Sequence, residues 1–566
     1  MLRHLPMKLS RALCRFRRRE DGSMVLFCVI LFVSMLVVAG MSIDFMRYEN
    51  ARTRLQSTLD RAILAAADLD QRRAPRAVVE DYFAKAGLLE QLTNVTVTEH
   101  IGSRTVRAEA ELPVDMLFIR LLGVPQLVVP AVGTASENVS NIEISLVLDV
   151  SGSMADNNRL RNLKTAATNF VDTIFANDAE GNISIALVPF NGQINLGATL
   201  RQQYQVTDVH GTANANCLDL PAWAYSTTDL PTNRPIPMTA MADTFSSTED
   251  YYAIYEAISS NQPNPANLWC PPSTTNIVRL PTRDATALKA SINGLTAVGA
   301  TSINAGMRWG LELLDPGSQP MFATLAAQGQ IASRFAVRPL AYDHPDTLKV
   351  IVLMSDGENF AEERVNAGFR TGQSPIWLGA DGHYSIFHPE RVDNSSSLNL
   401  CASRPFWVPH VSSWHPRPWT LLGVLPSCYD PGIVTGASPT YGNTRQTWQQ
   451  VWSAVRLKWV AYQLYARGFE MTSSSRRTEY FNRTLAMLRT LTPVEDMNRQ
   501  LQDLCSMARR SNVTIFTIAF EAPAAGRTQL SNCASSPNHY FNAQGLQISD
   551  AFSAIAAQIN RLRLVE

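Results

Sequence analysis

The chain has 566 residues, 46% of them apolar, with 49 basic and 49 acidic side chains and a sequence pI near 7.1. That length is more than one ordinary core absorbs, so two or more folded units are expected, and the apolar content is too high for a disordered tail. The balanced charge gives no electrostatic case for a nucleic-acid partner.

Charge is concentrated at the N-terminus. Seven of the first nineteen residues are Lys or Arg, ending in "RFRRRE", and "MVLFCVILFVSMLVVAGMSI" (Met24 to Ile43) follows without a charge. About twenty apolar residues cross a bilayer as a helix. The basic arm, residues 1–23, then stays cytoplasmic by the positive-inside rule, and everything beyond the span at 24–43 lies outside the membrane. Val37 and Ala39 offer a small-residue pattern for the competing reading, a cleaved signal peptide, but the apolar run exceeds the usual length of about 7–15 residues.

Residues 44–140 open with "RYENARTRLQSTLDRAILAAADL", in which Leu55, Leu59, Ala62, Ile63 and Ala66 keep one apolar helical face. The span is therefore expected to continue as a helical stalk. The segments "VTVTEH", "VRAEAELPV" and "QLVVPAVGTA" then alternate between Gly and Pro breaks and predict a small strand-rich module.

From Ile142 the pattern becomes strand, helix, strand: "IEISLVLD", then Leu160, Leu163, Ala167, Phe170, Val171 and Ile174 on one face, then "ISIALVPF". The grammar returns in "INAGMRWGLELL", "LKVIVLMSD", "NVTIFTIAF" and "ISDAFSAIAAQINRLRL". Residues 141–566 thus read as a doubly wound, Rossmann-like α/β domain. It is interrupted at about 192–290 and 360–500, where long loops are expected to carry structure of their own. The second interruption holds seven of the ten tryptophans. They are read as a small core of the insertion, with a partner or glycan surface as the alternative. Its histidines His383, His388, His410 and His415 have no metal-ligand spacing.

Of eight cysteines, Cys14 and Cys28 fall in the arm and the span. The other six, Cys217, Cys270, Cys401, Cys428, Cys505 and Cys533, are even in number and form no CxxC pair, which suggests three disulfides in an oxidising compartment. Buried free thiols are the alternative. Sequential pairing is preferred on proximity alone, above all Cys505 with Cys533, which bracket "NVTIFTIAF".

Two predicted strands end in acids, "LVLDVSGSM" at Asp149 and "LMSDGEN" at Asp356. In an open parallel sheet such ends face the ligand crevice. Two carboxylates there call for a cation between them, and with Ser151, Ser153 and Thr301 they form an all-oxygen set suited to Mg²⁺, with Mn²⁺ or Ca²⁺ as alternatives. Thr301 or Ser302 could instead be a helix cap.

"DVSGSM", "GAT" and "SDGEN" resemble the metal-ion-dependent adhesion site of von Willebrand factor A domains, with Ser355 where that family has Thr. The resemblance implies a non-enzymatic binder whose ion accepts an acidic residue of a protein partner. The basic arm, the span and its continuation, "ALVPFN", "SINAGMRWGLELLDP", "KVIVLMSDGENF" and "LCSMARRSNVTIFTIAF" further resemble TadG-like proteins of the tight-adherence (Flp) pilus assembly system. This implies a single-pass bacterial inner-membrane protein, its main domain periplasmic, whose partners are pilus or pilus-assembly components. A structural envelope protein with a vestigial metal site is the alternative. A haloacid-dehalogenase-like phosphatase would need a general acid where Ser151 stands, and a Gly-x-Ser-x-Gly hydrolase motif is absent.

Overall fold

The computed structural model describes residues 21–561, apart from 69–70, 101–102, 139–140, 177, 179–180, 246–261, 345–346, 394–399, 421–427 and 439–440. The basic arm, up to residue 20, lies outside the described residues, as does Cys14. The chain divides into two compact units, the first of residues 1–139 with 561–566 and the second of residues 140–560.

The first unit begins with one unbroken helix, α1 (Asp21–Ala67). No Gly-Pro pair or cap interrupts it, so the apolar run continues directly into the amphipathic stretch. It is the one helix among the described residues long and apolar enough to cross a membrane. Side chains from Met24 to Val38 are nearly all exposed, whereas Leu55, Leu59, Ala62, Ile63 and Ala66 are buried. The change follows the sequence: all-round hydrophobicity suits lipid, and a single apolar stripe suits a protein core. That stripe lies on an antiparallel sheet of β1 (Leu92–His100), β2 (Ser103–Asp115) and β3 (Gln126–Asn138), in that order. Alternate residues Val106, Ala108 and Ala110 face inward, with Val129, Ala131 and Ala135 from β3. Helix α2 (Pro75–Lys85) closes the core with Val78, Val79 and Phe83.

The second unit is built on a six-stranded sheet. Its elements in chain order are β4 (Asn141–Asp149), α3 (Arg159–Ala176), β5 (Ile183–Phe190), β6 (Arg279–Thr282), α4 (Ala285–Gly294), α5 (Ile303–Glu312) and β7 (Thr347–Ser355). They continue with α6 (Val494–Arg510), β8 (Val513–Phe520), α7 (Ala524–Cys533), β9 (Tyr540–Ala543) and α8 (Gln547–Arg561). The strand order is β9–β8–β7–β4–β5–β6, parallel throughout except for the edge strand β6. Near-continuous Val, Ile and Leu runs make β4, β5 and β7 because both of their faces are covered. Val147, Val188, Phe190, Ile351 and Leu353 pack with α5 and α6. Leu163, Phe170 and Ile174 of α3 are buried too, Phe170 meeting Phe552 of α8 edge-on at 5.6 Å. Helix α5 lies close to the sheet because it carries glycines there: a Cβ on Gly310 would stand 2.5 Å from Val147, and one on Gly306 2.8 Å from Phe190.

The first interruption packs into this same core, through Leu218, Leu220, Tyr225, Leu230 and Ile236. It also covers the outer side of α5, which explains why that helix is buried all round, Arg308 and Glu312 included. Arg308 donates to the carbonyls of Thr227 and Thr228 and to Glu312, each at 2.6 Å. The second interruption is closed at its base by the antiparallel pair Glu362–Val365 and Arg489–Thr492. Beyond that pair, a five-stranded antiparallel sheet buries Trp377, Trp407, Trp448, Trp452 and Trp459. Disulfides join Cys217 to Cys270, Cys401 to Cys428 and Cys505 to Cys533.

Candidate functional site

The chain runs from β4 to β5 in one direction across the sheet and later returns to the other side of β4 as β7. The order of the strands therefore reverses between β4 and β7, and a crevice opens at their carboxyl ends. Asp149 is the last residue of β4 and Asp356 the first after β7. The sheet brings together four of the five residues singled out in sequence through direct bonds. Asp149 Oδ1 accepts from the Ser151 backbone N–H at 2.8 Å, and Oδ2 from the Ser355 hydroxyl at 2.5 Å. Ser151 and Ser153 hydroxyls are 3.1 Å apart, and Ser153 donates to Asp356 Oδ1 at 2.9 Å.

Thr301 sits at the rim. Its carbonyl accepts from the Phe360 N–H at 2.8 Å, and its hydroxyl lies against the Gly357 turn. It does not cap α5. Ser302 holds the cap position without a side-chain bond, and Asn359 supplies the cap from the neighbouring loop, accepting from the Ile303 N–H at 2.7 Å. Two backbone features fix this rim. Gly299 adopts φ +85°, a conformation that disfavours a side chain, and its carbonyl accepts from Gly152 at 2.9 Å. Gly526, at the start of α7, lies so close that a Cβ would stand 2.1 Å from the Gly357 carbonyl oxygen.

Arginine 159, the first residue of α3, completes the crevice. It donates to Asp356 Oδ2 at 3.0 Å, to the Ser153 carbonyl at 3.3 Å and to Glu521 Oε2 at 2.8 Å. Glu521 follows β8 and is held in turn by the Gly545 N–H at 3.0 Å. Sequence reading missed both residues. Glu521 carried the same signal as the two aspartates, an acid directly after an apolar strand, whereas Arg159 opens an ordinary helix pattern. Burial, reinforced by the charge of Asp356, pushes the Asp149 carboxyl up to about 7. Burial also raises Asp356, against the hydrogen bond from Ser153 and the charge of Arg159. Arg159 holds the more exposed Glu521 below the usual carboxylate range.

This geometry corrects the expectation of a divalent ion on Asp149, Ser151, Ser153, Thr301 and Asp356, and with it that of metal-dependent binding. Among the described residues no group of three or more His, Cys, Asp or Glu side chains could hold a metal ion. The donor set explains why the residues do not fit. Of the residues singled out in sequence only two are carboxylates, Asp149 is turned toward Ser151 and Ser355, and the cation facing Asp356 is a guanidinium of the chain itself. The expectation of Mg²⁺, Mn²⁺ or Ca²⁺ as a cofactor is therefore not met among the described residues.

Beside the crevice lies a cavity of about 310 Å³, lined by Ser153, Thr301, Trp269, Phe245, Glu358 and Phe360 among others. Phe360 is 43% exposed and meets Phe245 edge-on at 5.6 Å, and the Trp269 indole donates to Thr244 at 3.1 Å.

Residues 22–69 match Tad, the family of Flp pilus-assembly TadE/G-like proteins. The match spans α1, from its apolar half through the stripe that packs on the sheet. No curated protein matches the sequence. Among solved structures, the chain is similar to the vWF domain of the type V pili tip protein Mfa5 from Porphyromonas gingivalis (14% identity, 76% of this chain and 98% of that one, TM-score 0.30). It is also similar to the pilus adhesin SpaC from Lactobacillus rhamnosus GG (11% identity, 82% of this chain but 33% of that one, TM-score 0.28). A third likeness is to the adhesive tip pilin GBS104 from Group B Streptococcus agalactiae (13% identity, 74% and 100%, TM-score 0.27). With scores of this size the three superpositions carry no weight for fold or function.

Proposed function

We propose that the chain is a membrane-anchored, non-enzymatic structural protein of tight-adherence (Flp) pilus assembly, with its N-terminus cytoplasmic and its second unit periplasmic. The observation that carries this reading is the Tad match over residues 22–69, which falls on the membrane-length helix and its packed continuation. In the same reading residues 141–566 form a doubly wound von Willebrand factor A domain. Support comes from the parallel sheet, from β4 at the reversal of strand order, and from Asp149, Ser151, Ser153 and Asp356 at that point. Its metal site is vestigial: Arg159 supplies the positive charge that Asp356 faces.

Pilus-assembly proteins are the partners we propose, held on the rim cavity through the exposed Phe360 ring and the hydroxyls of Ser153 and Thr301. An acidic partner residue has no ion to complete here. Phosphatase chemistry finds no support, since position 151 offers a hydroxyl where leaving-group protonation needs an acid.

A photoreactive side chain at Phe360 in the full-length protein tests the proposal in cells. Adducts with pilus-assembly components are expected, in equal yield from membranes treated with Mg²⁺ or with chelator. Adducts confined to unrelated proteins would overturn the pilus reading, and yields lost on chelation would overturn the vestigial site.

A further inference from the structure

The segment "MLFIRLLGVPQLVV", Met116–Val129, covers the connection from β2 to β3 and the first residues of β3, and contains one charge, Arg120. It folds into a single turn of 3-10 helix, Ile119–Leu122, closed by Gly123 at φ +94°. Met116 and Val129 at its ends are buried, but Leu117, Leu121, Leu122 and Val124 of the connection, and Val128 of β3, are exposed, Leu121 at 77% and Leu122 at 60%. In water such a cluster invites aggregation, and it marks a surface that contacts something else.

The turn has a fixed depth. Asp44, directly after the apolar run of α1, is fully buried and accepts three backbone N–H groups from it: Leu117 at 2.9 Å, Phe118 at 2.7 Å and Ile119 at 2.8 Å. The Phe118 ring lies on Gly40, where a Cβ would stand 2.3 Å from it. Gly40 is inside the apolar run, about 6 Å along the helix before Asp44. Phe118 therefore sits at the level of span residues, and the exposed leucines beside it continue the exposed apolar surface of Met24–Ile43.

We infer that this turn is a second membrane contact: Leu117, Leu121 and Leu122 insert into the leaflet from which α1 emerges, at the boundary of headgroups and acyl chains. Lipid is the occupant that the geometry favours, because the patch is continuous with the surface of the span. Arg120 extends its charge to the phosphates while its stem stays with the leucines. Asp44 satisfies the turn's N–H groups, which insertion would otherwise leave without water. The inference rests on the reading of α1 as a span.

The test uses the full chain with Cys14→Ser and Cys28→Ser, in vesicles of phosphatidylethanolamine and phosphatidylglycerol. An environment-sensitive fluorophore is placed at Leu121→Cys, Leu122→Cys, Phe32→Cys (the span) or Thr98→Cys (an exposed site on β1), one at a time. Acyl-brominated lipid should quench Phe32, Leu121 and Leu122 at least twofold and leave Thr98 unchanged, with aqueous iodide giving the reverse. Iodide quenching at Leu121 and Leu122, with Phe32 still quenched by bromolipid, would overturn the inference while sparing the span. Shielding of both leucine sites from both quenchers would mean that protein covers the turn, and would overturn it too. Loss of bromolipid quenching at Phe32 would instead sink the anchor on which the inference rests.

Discussion

Arg159 decides what the crevice is. It reaches Asp356, whose side chain is fully buried, so removing it strands a carboxylate beside Asp149. Arg159→Ala should cost about 2–4 kcal/mol in chemical unfolding, and Asp356→Asn in the same chain should recover most of it. Equal losses in single and double variants would mean that the pair is not coupled. A second buried acid, Asp219, gives a pH signature away from the crevice. Burial pushes its carboxyl up to about 6 although Arg364 and Arg370 pull it down, while Glu362 adds to the rise. The folded chain then keeps the proton to about pH 6, whereas the unfolded chain releases it near pH 4. Between these values the folded state binds more protons, so this group's contribution to stability falls as pH rises, by about 2–3 kcal/mol across the window. Asp219→Asn should flatten that part of the stability profile, read from urea midpoints at pH 4.5 and pH 6.5. At this scale the sequence exposed Asp149, Ser151, Ser153 and Asp356 because each sits in a local motif. It hid Arg159 and Glu521, because their meeting depends on which strands are neighbours, a property of the whole sheet.

Elements with long apolar runs were the easiest to foresee. Strands β4, β5, β7 and β8 fall where continuous Val, Ile and Leu runs end in polar loops, and α3 and α8 follow their apolar stripes. Strand β6 was not legible. Its four residues, "RLPT", contain a proline and show no alternation, and an antiparallel edge strand is one of the few sheet positions that tolerates one. The insertion sheet was equally opaque, since strands of three to seven residues rich in tryptophan give no period to read. Gly310→Ala forces a methyl against Val147 and should destabilise the second unit by about 1–3 kcal/mol, with α5 displaced from the sheet. Replacing Cys505 and Cys533 together by Ser frees the tie between α6 and the end of α7, and a closed loop of this size stabilises by about 3 kcal/mol in the chain-entropy model. Native protein should show neither as a free thiol in non-reducing peptide mapping.

For the molecule as a whole, the proposed topology predicts that a reporter active only in the cytoplasm, fused after Glu566, is silent in intact cells. The same reporter placed before Met24 should be active. Activity of the C-terminal fusion would reverse the orientation and remove the oxidising compartment that the three disulfides require. Within the first unit, a force applied at Asn138, the last residue of β3, loads that strand directly. Strand β3 starts beside the turn held by Asp44 and ends at the far tip, its thirteen residues paired in register with β2 from Gln126–Asp115 to Asn138–Ser103. A load on Asn138 directed along the strand axis would shear the ladder, straining all its bonds at once instead of unzipping them one by one. In the proposed topology, helix α1, lying on the same sheet, would pass the load to the bilayer. Such a joint should yield in single-molecule pulling at a high force in one step, which would suit the pilus-assembly role proposed above.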